Sequence, residues 1–163
     1  MGLMLPGWLR TALEYVGYDW PSTDESVLNQ WGGQWDQLSQ KASTSVESVN
    51  GIANEVLGKN SGASVEAFKT WHSDAEGPMK SAHDLSLAAT GVGIGLRIIA
   101  GIVLAMKVAV IAQLAILAAS IASAVATAGL ASGAVLAARQ AAKWAIEAAI
   151  NYAVEMIMNG MLG

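Results

Sequence analysis

The chain has 163 residues, 53% of them hydrophobic and 13% charged, with a net charge of -4; a soluble protein usually has about 25% charged residues. That length suits one domain or a domain with an appendage, and the composition excludes a disordered chain and a nucleic-acid binder built on a basic surface. No cysteine is present, which excludes a disulfide framework, a thiolate zinc site and a cysteine nucleophile. With two histidines, one phenylalanine, abundant alanine and no β-type alternation, the expectation is an all-α protein with little catalytic equipment. Charge is unevenly spread. Residues 1–84 carry 5 basic and 11 acidic groups, residues 85–163 carry 4 and 2, and Lys107 is the only charge between Ile98 and Ala138.

In chain order, Trp8, Leu9, Ala12, Leu13 and Val16 share one helical face, so a short amphipathic helix is expected over 6–16, ended by Gly17. It is not a secretory signal: no basic region precedes it and Pro6 interrupts the apolar run. One Arg and one Glu, rather than a basic face, favour packing over a membrane-surface role. Next, Ser22 and Glu25 have the spacing of a capping box. Leu28, Trp31, Trp35, Leu38, Ala42, Ser45, Val49, Ile52 and Val56 then recur at intervals of three and four, a seam of more than four heptads. A helix over 23–57 is expected, about 50 Å long at 1.5 Å per residue, with the seam facing a partner or the protein's own packing.

Gly58 to Gly62 make a turn. Val65, Phe68, Trp71 and Ala75 mark a second helix from Ala63, folding back as an antiparallel hairpin, until Gly77 and Pro78 end or kink it. From Met79 the chain is helical again, with Gly91, Gly93 and Gly95 either weakening the helix or admitting a close neighbour. An Ala-rich stretch runs to about Ala128. A break is expected at Gly129 and Gly133, then a last helix over 136–158. The divisions expected are 1–20, 21–78 and 79–163, together an elongated helical bundle of a long antiparallel hairpin packed with Ala-rich apolar helices.

Val108 to Thr127 is about twenty residues without a charge, enough to span a bilayer. Its large aliphatics are Val108, Val110, Ile111, Leu114, Ile116, Leu117, Ile121 and Val125. Together they favour insertion by roughly 2 to 5 kcal/mol, opposed by Gln113, Ser120, Ser123 and Thr127. The segment therefore reads as membrane or core, with a buried bundle helix preferred. His72, Asp74, Glu76 and His83 follow no metal-ligand spacing, and Gly91, Gly93 and Gly95 lack the context of a phosphate loop. No catalytic residue, cofactor, metal, nucleic acid or small-molecule substrate is expected.

WPSTDESVLNQWGGQW opening a long helix, a glycine turn with NSGASVEAFKTW, and AMKVAVIAQLAILAASIA further on resemble, in order and spacing, the Trp-x-Gly (WXG-like) N-terminal domain of actinobacterial polymorphic toxins, the outer membrane channel protein CpnT-like N-terminal domain. The resemblance covers essentially the whole chain. In the family's hairpin-turn motif Asn60 stands at the Trp position, Gly62 at the Gly and Phe68 at the aromatic. The literal Trp31-Gly32-Gly33 falls inside the first long helix. The family's export signal, Tyr then Asp or Glu four positions later, is matched at Tyr15 and Asp19, upstream of the hairpin.

The resemblance implies a non-enzymatic targeting and delivery domain of a type VII secreted polymorphic toxin-like protein. Its partner would be a small WXG-family hairpin protein or a second copy. It would be secreted or held at the cell surface or membrane by a route without a signal peptide. The alternatives are a pore-forming, holin-like channel module acting through residues 98–138, and a structural helical oligomer.

Overall fold

The computed structural model describes residues 2–127 and 133–162, with the side chains of Ala124, Val125, Thr127, Ala134, Met161 and Leu162 outside that description. The protein is all-α. Five helices follow in order: α1 Gly7–Val16, α2 Glu25–Lys59, α3 Ala63–His72, α4 Pro78–Thr127 and α5 Gly133–Leu162. The expected break at Gly129 lies outside the described residues.

Local chemistry sets the ends. Gly17 sits at φ 90°, its N–H donates to the Glu14 carbonyl and that of Tyr18 to the Leu13 carbonyl. This is the paired-bond terminator of a helix, and it requires the left-handed residue that glycine supplies without strain. Pro78 opens α4 at the first helical position, where its missing N–H costs nothing. The glycines at 91, 93 and 95 do not interrupt α4, which runs unbroken for 50 residues.

Two expectations change. The cap of α2 is Asp24, not Ser22: Asp24 Oδ1 accepts from the N–H groups of Ser26 (2.9 Å) and Val27 (3.3 Å) and from the Ser26 hydroxyl (2.6 Å). Glu25 does not reach back as a capping box needs, because its carboxylate is engaged by Lys107, 82 positions away. The second arm of the hairpin is also short. It ends at His72, whose Nε2–H donates to Asn50 Oδ1 at 2.9 Å and whose ring stacks on Phe68. The chain does run back along α2, but for only ten residues of helix.

The chain divides into two compact units, residues 1–28 with 98–163, and residues 29–97. In the first, Leu5, Leu9, Leu13 and Val16 bury against Val110, Leu114 and Leu117 of α4 and Ala142 and Ile146 of α5. Burying side chains of this size contributes about 1.5 to 3 kcal/mol each, so this cluster is the main source of stability there. In the second, α2 meets α4 through small residues. A Cβ on Gly93 would lie 3.0 Å from the Gly32 carbonyl oxygen and 2.6 Å from Asp36 Oδ1, and a Cβ on Gly32 would lie 3.0 Å from the Gly93 carbonyl oxygen. Two backbones are in contact here, and both positions need glycine. Nearby, the Ser86 hydroxyl donates to the Ser39 carbonyl, and Ser39 Oγ lies 2.8 Å from Thr90 Oγ1. Arg97 pairs with Asp36.

Candidate functional site

Two surfaces follow from this packing. The first is on α2. Its inward stripe runs Gly32, Asp36, Ser39, Ser43, Val46, Asn50, Ala53 and Leu57, all buried or half-buried. One position round the helix runs the seam read from the sequence. Leu28 and Ala42 are half-buried, but Trp31, Trp35, Leu38, Val49, Ile52 and Val56 are exposed, Ile52 by 63%. Large apolar side chains repeating at 3.5 residues form the contact face of a coiled coil. Here that face is open. The helix buries its small and hydroxyl-bearing stripe and presents its large apolar one.

Of the turn residues, Asn60 and Gly62 are exposed and Phe68 is half-buried. The Asn60 side-chain N–H donates to the Val56 carbonyl at 2.8 Å, so Asn60 closes the end of α2. Trp71 is exposed, with its ring 6.1 Å from that of Phe68.

The second surface belongs to α4 and α5 within residues 98–163. Leu114 and Leu117 are fully buried, Ile111 and Ile121 half-buried, and Val108 exposed, while the Val125 side chain lies outside the description. Buried positions recur at Ala100, Val103, Lys107, Val110, Leu114 and Leu117, intervals of three and four. The remaining faces carry exposed Ile98, Leu104, Val108 and Ile116 on α4, and Trp144, Tyr152, Val154 and Met156 on α5. Between them an almost wholly apolar groove of about 440 Å³ is lined by Ile98, Ala105, Ala109, Ala149, Tyr152 and Met156, among others. Among the described residues, Pro78–Ser123 is the one stretch of helix long and apolar enough to cross a membrane, and only a third of its most apolar window is buried.

Lys107 is the exception in that segment. Its side chain is 2% exposed. Its Nζ donates to Glu25 Oε2 at 2.7 Å and to the Thr23 carbonyl at 2.6 Å, and lies 5.7 Å from the Trp20 ring centroid. Burial opposes the charge of Glu25. Hydrogen bonds from Lys107 and from the N–H groups of Leu3 and Glu25 itself, with the attraction of the Lys107 charge, outweigh this and hold the carboxyl below its ordinary value. Next to it, the Ser26 hydroxyl and the Gly2, Ser26 and Val27 N–H groups hold Asp24 lower too, against a smaller opposing effect of desolvation. The composition marked Lys107 as a lone charge but gave no sign of its partner, since residues 25 and 107 meet only in the fold.

Tyr15 lies in the last turn of α1 and is exposed. Arg139 stands over its ring at 4.4 Å and donates to its carbonyl at 2.9 Å. Asp19 comes after the Gly17 turn, so the four-residue interval to Tyr15 is not a turn of one helix. Tyr18 donates to Glu147 Oε1 at 2.6 Å. That bond, with desolvation and the Glu147 charge, raises its phenol to about 12.

The chain belongs to the WXG100 like domain family, whose model matches residues 5–149. It is thereby a helical protein related to type VII secretion, a route of export that does not depend on a signal peptide. No curated protein and no solved structure matches the chain.

Proposed function

We propose that this chain is a non-enzymatic secretion-targeting and delivery domain of a type VII secreted, polymorphic toxin-like protein, as the actinobacterial resemblance implies. It docks a helical-hairpin partner on the open face of α2. The observation that carries this is the exposed heptad seam of Trp31, Trp35, Leu38, Val49, Ile52 and Val56. Side chains of this size on a 3.5-residue repeat suit a helix that lies along α2, with the tryptophans as anchors of the contact. The test is export of the full chain from an actinobacterial host with an active type VII system. The wild type reaches the culture filtrate. A Trp31→Ser, Ile52→Ser, Val56→Ser variant stays in the cells while keeping its helical circular dichroism. Equal export of the two sinks the reading.

A second reading, membrane association with a channel formed through residues 98–138, is favoured by the apolar exposure of α4. Release of dye from vesicles tests it.

A further inference from the structure

Residues 2–28 cover one face of α4 and α5, and their attachment has a particular design. Its middle is apolar: Leu5, Leu9, Leu13 and Val16 lie on Val110, Leu114, Leu117, Ala142 and Ile146. Its polar ties are few and sit at the sides. Tyr18 donates to Glu147, the Tyr15 carbonyl accepts from Arg139, and the far end is held by Lys107 on Glu25 and the Thr23 carbonyl. Leu3 N–H closes the loop on the same carboxylate. The only helix in this segment before Glu25 is the ten residues of α1, too short to persist in water without the face it lies on.

Lys107 occupies a telling position. Immediately after it come Val108 to Thr127, twenty residues without a charge that continue α4 to its end. At 1.5 Å per residue they are about 30 Å long, the thickness of a bilayer's hydrocarbon core. A lysine at the end of such a run is tolerated, because its long side chain extends to the headgroup region. In the covered state the same amine is buried on Glu25. Lys107 therefore has a favourable partner in two states, and each excludes the other.

We propose that residues 2–28 are a displaceable strap, clasped by Lys107, over the face of α4 and α5 that a lipid bilayer takes once the strap is released. This rests on the membrane half of the function proposed above. When the strap lifts, Glu25 and the Thr23 carbonyl return to water, Val110, Leu114 and Leu117 face lipid tails, and Lys107 anchors the start of the inserted segment. The exposed Trp8 on the outer side of α1 keeps the released strap at the interface, where tryptophan is favoured.

The chain has no cysteine of its own, so the strap can be tied. A Tyr18→Cys, Glu147→Cys variant joined by a short bis-maleimide holds α1 on α5. Glu25→Gln loosens the clasp, and the pair Glu25→Leu with Lys107→Met, which leaves no unpaired charge and puts an apolar contact in its place, is the control that keeps the strap down. Hydrogen exchange in the full chain without lipid reads the strap itself. Phosphatidylcholine–phosphatidylglycerol vesicles holding a self-quenched dye read the bilayer. In Glu25→Gln the α1 amides exchange faster than in wild type and dye release rises roughly a hundredfold or more, while exchange at α1 in the double variant stays at the wild-type rate. Tying the strap in Glu25→Gln abolishes the gain.

Equal release by tied and untied protein overturns the strap. Faster exchange at α1 with no release from any form overturns the bilayer as the partner of this face, and leaves the α2 seam and its export test untouched. Unchanged exchange at α1 in Glu25→Gln overturns the clasp.

Discussion

Residues 1–28 with 98–163 and residues 29–97 are made of the same element and solve the packing problem in opposite ways. The first unit buries large aliphatics, Leu13, Leu114 and Ile146 among them, together with one whole ion pair. The second buries glycine, serine and alanine, brings two backbones into contact at Gly32 and Gly93, and leaves its tryptophans and isoleucine outside. Burial of small residues removes little apolar area from water, so the second unit draws less stability from its interior. What it gains is a row of large apolar side chains free for another helix. Where a helix puts its big residues separates a part built to hold together from a part built to be met.

The largest expected effect breaks the ion pair. Glu25→Gln leaves Lys107 buried without its counter-charge and costs about 3 to 5 kcal/mol, whereas Glu25→Leu with Lys107→Met is close to neutral; urea unfolding of the three proteins measures both. The pH dependence has a definite sign. The Glu25 carboxyl is held below its unfolded value of 4.5, so its contribution is present above that value and is lost as pH falls through the lower, folded one. Glu25→Gln lacks that part of the acid sensitivity.

Next in size is a contrast between the units. Leu114→Ala removes a fully buried side chain and costs about 2 to 5 kcal/mol. Ile52→Ala, at an exposed position, changes stability by no more than about 0.5 kcal/mol. Equal costs at the two sites, read by urea unfolding, would mean that the α2 seam is not an open surface.

Smaller again is a pair of opposite sign. Gly93→Ala drives a methyl into the Gly32 carbonyl and the Asp36 carboxylate and destabilises by about 1 to 3 kcal/mol. Gly91→Ala meets nothing within 4 Å and stabilises the helix by about 0.5 to 1 kcal/mol. Thermal melting distinguishes them. The smallest effect is alkaline. Tyr18 is raised from 10.0 to about 12, so the stability it lends is whole below pH 10 and is lost as pH rises to about 12. Tyr18→Phe removes that step from the alkaline limb of the stability curve.

Much of the helix map was legible before any coordinates. The sequence places α1 over 6–16 and the structure over Gly7–Val16; it places α2 over 23–57 and the structure over Glu25–Lys59. Those ends are written in neighbouring residues, in Gly17, in Asp24 beside Glu25, and in Pro78. Two things could not be read that way. The stripes beginning at Trp31 and at Gly32 are one position apart and share one period, and hydrophobicity alone leaves open whether the Trp31 stripe faces a partner or the protein's own packing. Close backbone approach selects Gly32, and that depends on Gly93, 61 positions later. The cap at Ser22 failed for a similar reason: Glu25 satisfies the local rule, but a lysine far along the chain holds its carboxylate. The open seam on α2 was thus legible as a seam, while its openness came only with the partner helix in place.

The order in which the first unit is synthesised has a consequence of its own. Leu13 and Ile146 share one core although 133 positions separate them in the sequence. A ribosome adding about 5 to 20 residues per second needs roughly 7 to 27 s to cover that distance. Through that interval Leu5, Leu9, Leu13 and Val16 have emerged while the α5 part of their shelter has not been made. Residues 29–97 meet no such delay, since every contact within them is complete once residue 97 appears. A chaperone that captures this chain as it is made will therefore hold its first twenty-eight residues, and will have to let them go last.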